Sequence, residues 1–216
     1  MVGHPNKGKS SIVATLAADD AVRVAPEPGT TTRSRRFPMS VDGRVLYTLI
    51  DTPGFQRARR ARQWMKERAT TADQQAQVVA DFIAEHEGGA NRLTFPDEVE
   101  LLGPIMDQEN PAGILYVVDG SVPYGPEYEA EMEILRWTGR PSLALINPIG
   151  KADHVEAWRA ALGQHFKIVR VFNAVTAEFD KRLELLRAFG QLREAWRNPL
   201  DQAVVALRRD LSLIHI

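Results

Sequence analysis

The sequence predicts an α/β fold, a three-layer sandwich whose mostly parallel sheet has one antiparallel hairpin strand and helices on both faces. Three observations predict it. Gly3-His4-Pro5-Asn6-Lys7-Gly8-Lys9-Ser10 fits the pattern G-x-x-x-x-G-K-[S/T], a phosphate-binding loop set between a strand and a helix. After Pro111, short apolar runs alternate with amphipathic helical segments, as in successive βαβ units. Between these regions Asp42-Gly43 joins two strand-like runs, a strong hairpin signal.

The elements follow in order. Ser10 to Ala18 reads as a helix packing through Ile12 and Leu16. Pro26 to Thr32 reads as a loop. Arg35 to Val41 and Arg44 to Ile50 read as the two hairpin strands. Gln56 to Asn110 has helical composition and is expected to be an insertion. Within it Trp64, Ala69, Ala72, Ala76, Val79 and Ile83 fall near one face of a helix that Gly88-Gly89 ends. Pro96 to Met106 reads as a second, shorter helix. Gly113 to Val118 is apolar throughout, as a strand buried on both faces must be. Then come a helix at Glu127 to Thr138, a strand at Ser142 to Ile146, a helix at Val155 to Phe166 and a strand at Ile168 to Phe172. Thr176 to Arg197 reads as a helix with Leu185, Phe189, Leu192 and Trp196 on one stripe, broken by Pro199.

Both ends are unusual. Only Met1 and Val2 precede the loop, whereas a central strand needs about five residues, so the first strand is expected to be missing. Leu211 to Ile216 resembles the translation of a sequencing adapter and is expected to be foreign to the fold. The expected organisation is a nucleotide-binding domain over 1–197, the start of a truncated C-terminal extension over 198–210, and a non-native tail over 211–216.

Composition narrows the function classes. The chain has 216 residues, 44% of them hydrophobic, enough for a core. A net charge of −1 supplies no global field for nucleic acid. The absence of cysteine excludes disulfides and thiolate metal sites, and suits a cytoplasmic location. No apolar run approaches the ~20 residues of a membrane-spanning helix. The five histidines show no metal-ligand spacing, so no zinc site is expected. Trp137, Trp158 and Trp196 fall on apolar helical stripes and read as core.

The chemistry lies at the front of the chain. Glycines let the loop curl so that several N–H groups face one anion, and the following helix adds its positive N-terminal end. Lys9 is placed to reach the β- and γ-phosphates and Ser10 to ligate Mg²⁺. Asp51-Thr52-Pro53-Gly54 follows a strand end, where a carboxylate holds Mg²⁺ through water and a glycine N–H meets the γ-phosphate; the alternative is an Asx turn. The loop with Thr30-Thr31-Thr32 offers a hydroxyl to Mg²⁺ and an N–H to the γ-phosphate; the alternative is a plain polar loop. Arg57, Arg59, Arg60 and Arg62 form a basic run, read either as a solvated helix start or as a contact for RNA, an acidic partner or membrane phosphates. Asp119 reads as a turn residue.

Gly3 to Ser11, Thr31-Thr32-Arg33 and Asp51 to Gly54 together resemble the GTPase domain of the bacterial Era/TrmE-like branch of translation-factor-related P-loop GTPases. The wider wording, including Ile114 to Glu131, resembles a subfamily carrying a C-terminal domain of unknown function. The resemblance implies GTP and GDP as ligands, Mg²⁺ held at Ser10, Thr32 and Asp51, and hydrolysis of GTP as a molecular switch. It gives Lys9, Thr32 and Gly54 catalytic roles, and it gives phosphate contacts to Gly3, His4, Pro5, Asn6, Lys7, Gly8, Ser11 and Thr31. Asn6 matches a potassium ligand of several relatives. Phe55 stands where Ras-like enzymes carry a water-orienting glutamine, and an aromatic ring cannot orient water by hydrogen bonding. Relatives of this kind draw the missing positive charge from K⁺, a partner or a nucleotide-dependent dimer. Protein or RNA partners are expected through the C-terminal region, and a peripheral membrane association is compatible with it.

The base-reading motif departs from N-K-x-D. Asn147 stands at the expected strand end, but Pro148 replaces the lysine. Asp153 serves either the base, through an enlarged loop, or the cap of the next helix. Ala174 alone matches the usual S-A-x loop. Two alternatives therefore remain at this point: a non-hydrolysing nucleotide-binding interaction module, and an ATP-using enzyme.

Overall fold

The computed structural model describes residues 1–5, 7–17, 33–41, 44–174 and 179–214. Helix α1 (Lys9–Ala17) leaves the phosphate loop directly. Strands β1 (Arg35–Val41) and β2 (Arg44–Asp51) pair antiparallel, Arg35 opposite Asp51, with a bulge between Met39 and Ser40. The second half supplies β3 (Ile114–Val118), β4 (Ser142–Ile146) and β5 (Val169–Val171), a parallel sheet in that order. Helices α5 (Glu127–Trp137) and α6 (Val155–Leu162) make the crossovers.

Met1 and Val2 lie between the two groups of strands. Val2 forms a single parallel bridge with Tyr116, donating to the Leu115 carbonyl and accepting from Val117 N–H, both at 2.9 Å. The Met1 amino group donates to the Ile50 carbonyl, and Thr52 Oγ1 donates to the Met1 carbonyl at 2.8 Å. A cavity of about 330 Å³ opens beside this junction, lined by Leu49, Leu115, Leu186 and Phe189 among others.

The strand pattern explains the layers. Ile114, Tyr116 and Val118 of β3 face one core with Ala144 and Ile146. Leu115 and Val117 face the other with Leu143, Leu145, and Ile12 and Leu16 of α1. All five β3 residues are buried, and each aliphatic burial stabilises by about 1.5–3 kcal/mol. Helix α7 (Phe179–Gly190) covers the second face through Leu185 and Ala188. The first face is covered by α5, α6 and the inserted helices α2 (Ala58–Lys66), α3 (Gln75–His86) and α4 (Pro96–Met106).

Three expectations need correction. The helix expected through Trp64 and Ile83 is two helices, α2 and α3. Gln74 Oε1 takes the backbone N–H of Thr70 at 2.9 Å and of Thr71 at 3.4 Å, so the chain restarts there with a side-chain cap. The buried stripe of α3 is Val78, Val79, Phe82 and His86, and Ala72 and Ala76 are exposed. Second, the helix expected to run to Arg197 ends at Gly190. It turns back into α8 (Glu194–Ile214), which contains Pro199 rather than stopping before it. The turn lets Leu183 and Leu186 of α7 bury against Leu200 and Val204 of α8, which a straight helix would leave in water. Third, α6 ends at Leu162 and β5 covers only Val169–Val171.

Trp158 and Trp137 are core residues as expected, and Trp196 packs half-buried beside α8's apolar cluster. Among the described residues no helix is long and apolar enough to cross a membrane.

Candidate nucleotide-binding site

The loop before α1 is shaped by its two glycines. Gly3 has φ +144 and Gly8 φ +80, values that L side chains rarely adopt. A Cβ on Gly3 would stand 2.3 Å from the Val117 carbonyl oxygen, and one on Gly8 2.3 Å from Asn147 Nδ2. The loop thus presses its backbone against the C-terminal ends of β3 and β4, where ligands of open α/β sheets bind.

Lys9 is buried at the base of the loop. Its ammonium donates to the carbonyls of Gly3 at 3.3 Å and His4 at 3.1 Å. Burial pushes its pKa below the ordinary lysine value, and the Asp51 and Glu131 carboxylates oppose that shift. Ser10 lies exposed at the mouth, its hydroxyl donating to Asp51 Oδ2 at 2.7 Å. A hydroxyl and a carboxylate converging beside a phosphate loop are hard oxygen donors, the set Mg²⁺ prefers. The donors present therefore fit that ion. Gly54 packs on the loop as well, since a Cβ there would meet Pro5 N at 2.6 Å and the Gly3 carbonyl oxygen at 2.9 Å.

Asn147 joins the back of the site to the front. Its Nδ2 donates to the Lys7 carbonyl at 3.3 Å, and its Oδ1 accepts from Ala174 N–H at 3.2 Å. Thr15 Oγ1 adds bonds to the carbonyls of Ser11 at 2.8 Å and Ala174 at 3.0 Å. Gly3, His4, Pro5, Lys7, Gly8, Lys9, Ser10, Ser11, Asp51, Gly54, Asn147 and Ala174 thus form one cluster. Asp153 is exposed on the turn before α6, and His154 occupies the cap position without a side-chain cap bond. Asn6, Thr31 and Thr32 lie outside the described residues. Asp119 holds its turn, accepting from Ser121 N–H at 2.9 Å and Ile149 N–H at 3.3 Å. Phe55 is 1% exposed and belongs to the core. In the basic run, Arg57 donates to the carbonyls of Leu93 and Thr94, and Arg62 pairs with Glu133 at 3.3 Å.

Two buried carboxylates escaped the sequence reading. Glu131 of α5 is 1% exposed. It pairs with His4 Nδ1 at 2.8 Å and accepts from the Tyr116 hydroxyl at 2.9 Å, anchoring the loop to the helix layer. Burial, reinforced by Glu131, drives the Tyr116 pKa well above the phenol range. Glu131 stands on the inward stripe of α5 between Tyr128 and Leu135, and a charge on an apolar stripe is the signal that could have found it. Glu98 of α4 is 0% exposed and accepts from Gln56 N–H at 2.8 Å. It reads in sequence as an ordinary first-turn acid.

Fold and site define a P-loop nucleoside triphosphatase. The family of 50S ribosome-binding GTPases matches residues 1–117, and the chain belongs to it. A domain of unknown function (DUF3482) matches residues 159–212. Among curated relatives, GTPase Der of Halorhodospira halophila is 46% identical over 63 residues, 29% of this chain and 13% of the relative. GTPase Der of Gloeothece citriformis is 28% identical over 219 residues, 95% of this chain and 39% of that one. The chain spans well under half the length of these relatives. Among solved structures, an Era variant of Aquifex aeolicus bound to GDP and AlF4⁻ aligns over 88% of this chain and 55% of its own, with TM-score 0.54 and 18% identity. Era in complex with MgGDPNP and nucleotides 1506–1542 of 16S ribosomal RNA aligns at TM-score 0.52 and 18% identity, covering 88% of this chain and 54% of its own. The chain carries a GTPase domain of this family in an Era-like fold, residues 159–212 are similar to DUF3482, and the family match does not favour the non-hydrolysing or ATP-using alternatives.

Proposed function

We propose that this protein binds GTP at the Gly3–Ser11 loop and hydrolyses it to GDP and phosphate as a molecular switch. The observation that carries the reading is the convergence of Ser10, Asp51 and Gly54 on one loop whose lysine is already buried beneath it. Loop N–H groups and the α1 N-terminus hold the phosphates. Lys9 exchanges its two backbone carbonyls for phosphate oxygens, a stronger charge-assisted contact. Gly54 N–H reads the γ-phosphate, so its loss releases the Asp51–Arg57 segment.

Mg²⁺ would be held by Ser10, Asp51 and Thr32, and would neutralise charge between the β- and γ-phosphates. K⁺ at Asn6 would supply the charge that a buried Phe55 cannot. Asn147 orders the base-side loops, and Asp153 contacts the base through the enlarged turn. Residues 1–197 form the nucleotide unit with an insertion over 56–110, and residues from 198 belong to the C-terminal region, which the DUF3482 match covers to residue 212. That region is the site of protein or RNA contacts, in a bacterial cytoplasm, with a peripheral membrane association and a nucleotide-dependent dimer compatible with it.

Titration with labelled GTP, ATP and XTP in Mg²⁺ tests this reading. GTP is expected to bind at least about tenfold tighter than ATP, a difference of roughly 1.4 kcal/mol. Equal affinity for ATP, or no binding of any of the three, overturns it.

A further inference from the structure

The inserted helix α4 touches both segments that flank the triphosphate pocket. Its Glu98 is 0% exposed. Glu98 Oε1 accepts the backbone N–H of Gln56 at 2.8 Å and also that of Arg57. These N–H groups stand at the N-terminus of α2, whose cap residue Arg57 makes no side-chain cap bond. Glu98 therefore caps α2 from another element, two residues beyond Gly54. Glu100, two residues further along α4, accepts the Ser34 N–H at 2.8 Å. The Glu100 carbonyl also accepts the Ser34 hydroxyl at 3.1 Å. That carbonyl is available because the residue four positions on is Pro104, which has no N–H to complete the helical bond. Ser34 directly precedes β1 and follows Thr32 by two positions. Arg57 adds bonds to the Leu93 and Thr94 carbonyls, and Arg60 lies 5.8 Å from the Phe95 ring centroid.

We propose that Glu98 and Glu100 are positioning residues for GTP hydrolysis, α4 fixing through them the segment after Gly54 and the segment after Thr32. Neither carboxylate touches the nucleotide. Each acts through backbone held two residues from a γ-phosphate contact. The insertion thereby becomes part of the switch: a change at Gly54 on loss of the γ-phosphate is felt at the α4 N-terminus, and a ligand on the insertion is felt at Gly54. The inference rests on the GTPase reading.

The test uses Glu98→Ala, Glu98→Gln and Ser34→Ala in the full chain, with folding checked by circular dichroism. Gly54 is assigned to the γ-phosphate, which GDP lacks, so GDP affinity is expected to stay within about twofold. Affinity for a non-hydrolysable GTP analogue and kcat are expected to fall about tenfold in Glu98→Ala. Glu98→Gln keeps an acceptor oxygen and is expected to recover most of both. Ser34→Ala is expected to shift kcat in the same direction, by less. Hydrogen exchange on the unaltered protein needs no variant: the GTP analogue, and not GDP, is expected to protect residues 54–57 and 96–100 together. Equal losses for GDP and the analogue, unchanged kcat in folded Glu98→Ala, or equal protection by both nucleotides overturns the proposal. Wild-type protein that binds neither nucleotide overturns the GTPase reading and the proposal with it; wild-type hydrolysis with unaffected variants overturns the proposal alone.

Discussion

At the scale of single residues, the proposed phosphate grip depends on Lys9. Its ammonium is buried at a cost that shows in its lowered pKa, and it is held in place by two loop carbonyls. Such a cation has more to gain from a triphosphate than from neutral oxygens, because charge-assisted bonds are roughly twice as strong as neutral ones. Lys9→Ala is expected to weaken GTP and GDP binding by roughly 10- to 150-fold, the equivalent of about 1.5–3 kcal/mol. Calorimetry checks it, and unchanged affinity would remove Lys9 from the site. This part of the site was legible because the grip is made by contiguous residues whose spacing is fixed by backbone geometry. Asp51 and Gly54 were legible because they sit at a strand end in short range of a motif. Glu98 and Glu131 were not. Each reaches its partners across the fold, 42 positions away for Gln56 and 127 for His4, and no local pattern encodes such a separation. Asn147, expected at the base, ties the Lys7 carbonyl to Ala174, contacts between distant segments that its strand-end position does not announce.

At the scale of elements, the hairpin and the parallel strands follow the sequence closely. Continuous apolar runs bounded by helical patterns leave few alternatives. The helices were read less well, because their ends are set by tertiary packing that propensity does not see. Helix α7 ends at Gly190, and α8 runs back against it. The gain is the cluster of Leu183, Leu186, Leu200 and Val204. Pro199 is carried inside α8 because that packing outweighs one lost hydrogen bond. Leu183 is 0% exposed and does not border the cavity beside Met1, so truncating it leaves a new void. Leu183→Ala is expected to cost about 2–5 kcal/mol, whereas Val205→Ala, on the exposed face of α8, should fall within about 0.5 kcal/mol. Urea unfolding of the two variants checks the difference; similar midpoints would mean that α7 and α8 do not pack as described.

At the scale of the whole molecule, the site is assembled from distant parts of the chain. The loop at 3–10, the strand end at 51–54, Asn147 and Ala174 are joined by side-chain bonds of 2.7 to 3.3 Å. A ligand that requires all of them binds the folded state and not the unfolded chain, so it must stabilise the fold by mass action. At about a hundred times its Kd, GTP is expected to add roughly 2.7 kcal/mol. For a chain of this length, each kcal/mol raises Tm by about 2–4 °C, so GTP should raise it by about 5–11 °C. The monovalent ion enters through a different term. If Asn6 holds K⁺ beside the β–γ bridge, that charge matters most as negative charge develops in the transition state, and only weakly in the ground state. Exchanging NaCl for KCl is therefore expected to raise kcat several-fold while moving the GTP-dependent Tm by no more than about 1 °C, half of what 0.5 kcal/mol would give at the upper end of that scale. A parallel rise in Tm would make K⁺ a ground-state ligand, and equal rates in the two salts would leave Asn6 as a loop residue alone.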